Sequence, residues 1–379
     1  MSVRLQPELR NQIMQFGVGD WNACYHCGTC TAICPLSEKG FLFPRKKIRL
    51  MQMGLKHEIE SSVEPWLCYY CGECTETCPR DANPGEMMMA LRRFLTSKYD
   101  WTGLSKKFYT SEIWEIGFIL LFAVLILIGF LVVLPSMGYT LDRELTPEGG
   151  VKINSFAPVP IIEYIDWTMA FIVAALLVSN ILRMYYKIVW KKSTTTVSLK
   201  VHIREFWKLL YNFAVQPKFN KCEDKRYWLS HWLLMSGYTI MFIVIVVYLP
   251  WFQTEKIFPA WHPQRILGYY ATFGLLVGLL VAIVGRLRQK EVKFYFSHVS
   301  DWLFLVMLIL TTITGILIHI FRINGMPVAT YVLYVAHMAV LIPMILIEVP
   351  FSKWSHLAYR PFAVYFQQLK RNAVPKKNK

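Results

Sequence analysis

Charged side chains are scarce in this chain, 17% of 379 residues, and acidic ones are scarcest, with 25 Asp and Glu against 41 Lys and Arg. A disordered chain is excluded, because such chains are polar and poor in aromatics, whereas this one has 24 Phe, 20 Tyr and 13 Trp. Residues 1–10 lack the apolar stretch of a secretory signal. The cysteines that follow are therefore expected to stay in a reducing cytoplasm without forming disulfides. Beyond residue 80 cysteine almost disappears: of nine, only Cys222 lies there, and it reads as an ordinary free thiol in a basic loop. What the chain has instead is apolar surface, 55% of its residues, above the roughly 45–50% of soluble globular proteins.

That surplus is concentrated. Residues 1–107 are polar and short of long apolar runs, but 116–134 contains no charge and is long enough, at about 1.5 Å per residue, to cross a hydrocarbon core of about 30 Å. Five further runs, 165–186, 227–249, 266–287, 302–321 and 328–349, are apolar on every face, which predicts six membrane-spanning helices. An even count places both termini on one side, and Lys and Arg say which. Residues 191–226 carry nine, 286–293 four and 353–379 seven, whereas the opposite loops hold only Arg143, Lys152, Lys256, Arg265 and Arg322. By the positive-inside rule both termini, the Cys-rich segment and the long basic loop face the cytoplasm, making this a multi-pass protein of the cytoplasmic membrane. The excess of sixteen positive charges then needs no nucleic acid to explain it: the basic loop reads first as a solvated inner face, with membrane lipid or an acidic partner as the alternative it could attract.

Eight cysteines fall into two identical runs, Cys24-Tyr-His-Cys27-Gly-Thr-Cys30-Thr-Ala-Ile-Cys34-Pro35 and Cys68-Tyr-Tyr-Cys71-Gly-Glu-Cys74-Thr-Glu-Thr-Cys78-Pro79. Both read C-x2-C-x2-C-x3-C-P, the spacing of bacterial [4Fe-4S] ferredoxins, in which three thiolates wrap one cubane and the fourth reaches the other. The expected ligand sets are Cys24, Cys27, Cys30 with Cys78, and Cys68, Cys71, Cys74 with Cys34. Structural zinc takes four ligands as two pairs and would leave the third and fourth Cys of each run unexplained. Between the runs, residues 44–54 begin with Pro and end with Gly, the signature of a short helix. This segment, Trp66 two residues before Cys68, and Cys78-Pro79-Arg80 resemble the helical ferredoxin domain of the heterodisulfide reductase C subunit. The predicted fold is all-α: a helical two-[4Fe-4S] ferredoxin domain (1–107), a six-span cytochrome b bundle (108–360) and a basic cytoplasmic tail (361–379).

Histidine supplies the second signal. His26, His57 and His202 lie in cytoplasmic segments, while His231, His262, His298, His319, His337 and His356 lie in or beside spans, where polar groups are costly and several at matched depths argue for a site. Neutral imidazoles on facing helices are the axial ligands of haem. His231, His298 and His356 fall on the cytoplasmic side and His319 and His337 in the opposite half, with His262 in an outer loop. His337 and His356 are 19 residues apart, about 28 Å along a helix, and Pro343 and Pro350 between them can bend or rewind the helix by the one residue by which this spacing misses a whole number of turns.

The stretches His337-Met-Ala-Val and Pro350-Phe-Ser-Lys-Trp-Ser-His356 resemble the last span of the nitrate reductase gamma-subunit type of dihaem cytochrome b, which implies that both His are haem ligands. In that family the helix matching the third span gives two ligands ten residues apart; His231 fits the first, but the second position is Met241. The pairings expected are His231 with His356 for an inner haem b and His319 with His337 for an outer one, with His298 and His262 in reserve. One haem or two are both compatible with this pattern.

The fusion of such a ferredoxin to such a cytochrome resembles the C-subunit family of quinone-interacting membrane-bound oxidoreductase complexes. That resemblance implies electron transfer with menaquinone, two FAD-containing heterodisulfide-reductase-A-like partner subunits, and a link to adenylylsulfate reductase in sulfur metabolism. The Cys-Cys-Gly repeats of catalytic subunits in such systems are missing, which leaves the sulfur chemistry to partners. At a quinone site the proton acceptors expected are Glu348, Asp166 and Asp301, as intramembrane carboxylates. The alternatives are the anchor of a methanophenazine-linked heterodisulfide reductase, and a redox-responsive anchor without turnover.

Overall fold

The computed structural model describes residues 5–17, 21–37, 42–190, 195–217 and 225–375. Cys222 and Lys191, Lys192, Lys218 and Lys221 of the basic loop lie outside them. The N-terminal region is built of short helices: α1 (Leu9–Met14), α2 (Thr29–Ala32), α3 (Arg45–Gln52), α4 (Lys56–Glu60), α5 (Glu64–Leu67), α6 (Glu73–Glu76), α7 (Pro84–Tyr99) and α8 (Leu104–Thr110). The expected helix between the cysteine runs is α3, bounded by Pro44 and Gly54. The longest of these helices, α7, starts on Pro84 behind an Asn83 cap whose side chain accepts from the Glu86 amide, and it buries Met87, Met88, Ala90, Leu91, Phe94 and Leu95. A helix apolar around most of its circumference must be enclosed, and the others pack around it.

Six helices long and apolar enough to cross a membrane follow: α9 (Glu112–Ser136), α10 (Val159–Trp190), α12 (Lys225–Val247), α13 (Pro263–Arg288), α14 (Val299–Ile323) and α15 (Pro327–Phe351). Between the second and third lies α11 (Leu199–Val215), and the last span is followed by α16 (His356–Arg371). All six predicted spans are found, five extending past both ends of the predicted run and the third shifted two residues toward its N-terminus. Large apolar side chains such as Leu121, Val124, Leu125, Phe171, Phe273 and Leu280 stand exposed along them, the surface that lipid rather than water requires. Helices α12 and α13 approach most closely at glycines: a Cβ on Gly274 would lie 2.5 Å from the Leu233 carbonyl oxygen, and one on Gly278 2.5 Å from Leu234 Cβ. This small-xxx-small spacing lets backbones touch where hydrophobic burial gives no drive. In α15, Pro343 is followed by a π turn, Met344–Glu348, but the helix ends at Phe351; non-helical Ser352 and the short turn Lys353–Ser355 part it from His356, which opens α16 instead of ending the sixth span as expected.

The two regions share a core. Residues 361–371, assigned by composition to a basic tail, are the greater part of α16, whose buried face, Tyr359, Ala363, Phe366 and Leu369, joins the cluster around α7. Tyr359 packs on Trp66 (ring centroids 5.2 Å) and Tyr99 (5.6 Å). At the end of α10, Met184, Ile188 and Val189 enter the same core, and Lys187 pairs with Glu60 of α4 at 2.8 Å. A two-residue strand pair, β1 (Thr195–Thr196) with β2 (Val374–Pro375), closes the chain end antiparallel onto the loop before α11.

Candidate functional site

Both cysteine runs adopt one backbone shape. The residue before the second Cys is left-handed (His26 φ 60°, Tyr70 φ 56°), and so is the Gly after it (Gly28 φ 97°, Gly72 φ 96°). Few residues besides glycine tolerate that region, so its repetition at matching positions marks a specified turn. Alternating hands turn successive amides toward one concave side, the nest found at iron–sulfur sites, and each loop then launches the one-turn helix, α2 or α6, that carries the third Cys. In the second run the Tyr70 amide donates to Cys68 Sγ at 3.4 Å.

The thiols sort by position. Cys30 lies within electrostatic reach of Cys24, Cys27 and Cys78, whereas Cys34 faces Cys68 and Cys71, and Cys74 faces Cys68, Cys71 and Cys34, with Cys30 more weakly. Arg80, just after Cys78-Pro79, stacks over the Tyr25 ring at 4.2 Å and donates to its hydroxyl at 3.1 Å, pinning the end of one run to the start of the other. All eight cysteines are free thiols. Burial pushes Cys30 and Cys74 above the usual thiol range and Cys34 up to about 11, while the Thr29 hydroxyl and amide lower exposed Cys27. Buried thiols of this kind ionise only when positive charge arrives with a metal core. Among the described residues no three His, Cys, Asp or Glu side chains converge tightly enough for a single metal ion.

His231 and His356 line one partly open cleft together with Tyr69, Gln216, Met235 and Arg360. His231 Nδ1 donates to Gln216 Oε1 at 3.0 Å, and the amide is oriented by its own Nε2 donating to Met235 Sδ at 2.9 Å. His356 Nδ1 donates to the Lys353 carbonyl at 2.6 Å. Carbonyl oxygens only accept, so both rings carry their proton on Nδ1 and keep the lone pair on Nε2, the state of a metal-binding imidazole with its outer partner in place. Burial draws His356 down to about 3, which keeps it neutral. Tyr69, next in sequence to Cys68, lies under Arg360 with the guanidinium 4.0 Å from its ring centre. Arg92 holds that segment from the other side, donating to the carbonyls of Pro65 (2.7 Å) and Cys68.

The outer pair is different. Both nitrogens of His319 are engaged by α13: Arg265 donates to Nδ1 at 2.7 Å, and the Tyr269 hydroxyl is 3.3 Å from Nε2. Arg has no acceptor, so this ring carries its proton on Nε2 and gives its lone pair to Arg265. His337 instead bonds Thr314 Oγ1 at 2.8 Å, and its Cε1 is 3.5 Å from where a Cβ on Gly315 would lie. His319 thus has both ring nitrogens engaged, whereas Thr314 Oγ1, which itself donates to the Leu310 carbonyl at 2.7 Å, accepts from His337 Nδ1 and leaves the His337 lone pair on Nε2. His298 and His262 are helix N-caps, of α14 and α13: His298 Nδ1 accepts from the Ser300 amide at 3.2 Å, and His262 stacks on Phe258 with ring centres 3.9 Å apart. His26 bonds Gln52, and His202 bonds Tyr185 at 3.2 Å.

Of the three expected proton acceptors, Asp301 closes the α14 capping box with the His298 amide and is ion-paired to Lys353. Asp166 is buried in α10 near Tyr334, toward the opposite end of the bundle. Glu348 is wholly buried in the π turn of α15 with neither oxygen hydrogen-bonded. Sequence reasoning missed Gln216 and Tyr69, whose roles appear only across the fold. It also missed Glu115, which stands one residue before the uncharged run and was legible as the acid at its edge.

Residues 20–82 match the family described as 4Fe-4S dicluster domain. Over 96 residues the chain is 38% identical to a heterodisulfide reductase C-subunit-like protein of Archaeoglobus profundus, covering 25% of this chain and 51% of that one. The chain therefore spans about half the length of that relative. No solved structure matches. The protein carries an N-terminal dicluster domain of the [4Fe-4S] type joined to six helices of membrane-spanning length.

Proposed function

We propose that this chain is the electron-transferring membrane subunit of a quinone-linked oxidoreductase. Cys24, Cys27, Cys30 and Cys78 would hold one [4Fe-4S] cluster, Cys68, Cys71, Cys74 and Cys34 the second, and His231 with His356 one haem b. Such groups, when bound, pass single electrons. The residues of the chain do the rest: Gln216 and the Lys353 carbonyl fix the imidazole tautomers, and the left-handed turns curl the cysteine loops. The shared core holds the two regions at one spacing. The observation that carries the reading is that Tyr69, adjacent to Cys68, lines the same cleft as His231 and His356. With the Lys and Arg distribution, this end of the bundle is assigned to the cytoplasm, where two FAD-containing heterodisulfide-reductase-A-like subunits would dock. Menaquinol would supply electrons from the membrane, and adenylylsulfate reductase would be their soluble acceptor.

The name of the Archaeoglobus relative favours a second reading, an anchor of a heterodisulfide-reductase-type complex using methanophenazine. Purified full-length protein from iron-replete cells should show two [4Fe-4S] clusters and one haem b per chain. Its haem bands should be reduced by a menaquinol analogue faster than by a reduced phenazine; the reverse order selects the second reading, and a colourless protein ends both. Cys78→Ser should alter the paramagnetic signal of the cluster held by the first cysteine run, although Cys78 belongs to the second.

A further inference from the structure

Glu348 and Glu115 meet where the bundle joins the N-terminal domain. Both are shut off from solvent, at 0% and 1% exposure, beside the apolar cluster of Phe108, Ile347 and Phe351. The Ser352 hydroxyl donates to Glu115 Oε1, while the Ser352 amide donates to the Glu348 backbone carbonyl at 3.3 Å, so one residue ties the pair together. The Glu115 carboxylate acts on Glu348 directly, and Asp301 adds a third acid within electrostatic reach.

The other titratable and charged groups facing the pair are Glu112 of α9, Tyr109 of α8, Lys353 and, through Tyr109, Arg93 of α7. Neither cation is available to neutralise it. Lys353 is ion-paired to Asp301, and Arg93 is bound to Glu86 and to the carbonyls of Phe16 (2.6 Å) and Gly17 (3.2 Å). Removing two like charges from water without a counter-ion costs several kcal/mol for each, on the order of what a whole domain has to spare. The two carboxyls therefore share a proton and titrate as a unit. The donors decide which one holds it: Glu115 accepts the Ser352 hydroxyl and suits the anion, whereas Glu348, toward which the Lys353 amide is turned but whose oxygens complete no hydrogen bond, suits the acid.

We propose that Glu115 and Glu348 form a proton-binding site linked to the redox state of the neighbouring cleft. The link runs through a short stretch of chain: the Lys353 amide faces the Glu348 carboxyl, and the Lys353 carbonyl holds the His356 imidazole. An electron arriving in the cleft, from quinol in the proposed direction, raises negative potential at the pair, and one proton enters from the aqueous phase to make both carboxyls neutral. When the electron leaves, that proton is released, so charge and atoms balance in each direction.

The redox coupling rests on the electron-transfer reading, but the protonated state does not, and infrared spectroscopy of the full-length protein separates the two. At neutral pH the oxidised protein should show a protonated-carboxyl stretching band that shifts in D2O and is missing in Glu348→Gln, whose amide mimics the neutral acid and preserves the packing. Reduction should intensify the carboxyl signal, and the midpoint potential of the haem should fall with rising pH more steeply in the unmodified protein than in Glu348→Gln. Ser352→Ala, which keeps both acids, should move the band. A spectrum without it, or one unchanged by Glu348→Gln, overturns the site. A present band in a protein without haem preserves the proton site and removes the electron-transfer reading.

Discussion

Of the four histidines expected to pair, three give an Nδ1 proton to an oxygen and one, His319, does not. His231 and His356 donate from Nδ1 to carbonyl oxygens and line a common cleft; His319 gives its Nδ1 lone pair to Arg265, and His337 turns to Thr314. Residue type, depth and spacing are similar in the two pairs. What separates His319 from the other three is the partner on its ring nitrogens, which sets the tautomer and hence whether a lone pair is left for a metal. Counting intramembrane histidines takes no account of such partners, and an imidazole that accepts from an arginine has that lone pair engaged.

The sharpest way to break this contrast is to delete one ring at a time. His356→Ala or His231→Ala should lower haem affinity by more than about 100-fold, since even loss of an outer-shell partner costs about 10–100-fold. His319→Ala should leave the haem-to-chain ratio, measured optically on purified protein, where it was. Loss of haem in His319→Ala with retention in His356→Ala would reverse the assignment of the two pairs.

The parts of this arrangement that were legible in the sequence are those set by local chain geometry. The cysteine spacings place their own thiols within one loop, and an uncharged run of helical length announces its span without reference to anything else. The face of α16 was equally readable, since Tyr359, Ala363, Phe366 and Leu369 recur at helical spacing, but the basic residues around them hid it. The histidine tautomers were not readable. They depend on Arg265, 54 positions before His319, and on Gln216, 15 before His231, so only tertiary packing reveals them. Glu115 falls between these cases: its place at the edge of a span was visible, its partner in the last span was not.

An intermediate effect is expected from the residue that orients His231. Gln216→Leu removes the acceptor for Nδ1–H and should weaken haem binding about tenfold or more, because the ring loses both its tautomer and its direction. Gln216→Glu should retain haem and lower its midpoint potential, since a carboxylate makes the imidazole a more basic ligand that favours the oxidised metal. Potentiometric titration of the haem bands checks the sign. A potential that rises in Gln216→Glu would mean that Gln216 acts only through packing.

The smallest effect should come from the outer pair, and it tests the cause of the contrast rather than the assignment. Arg265→Leu frees Nδ1 of His319 and removes a charge-assisted bond in a partly exposed position, so it should cost about 1 kcal/mol in unfolding and leave the haem bands unchanged. The double variant Arg265→Leu, His319→Ala should then be no less stable than Arg265→Leu alone beyond the packing lost with the ring, because the two residues matter chiefly to each other. Strictly additive losses would show that His319 is held by something other than Arg265, and capture by that arginine would no longer explain its tautomer.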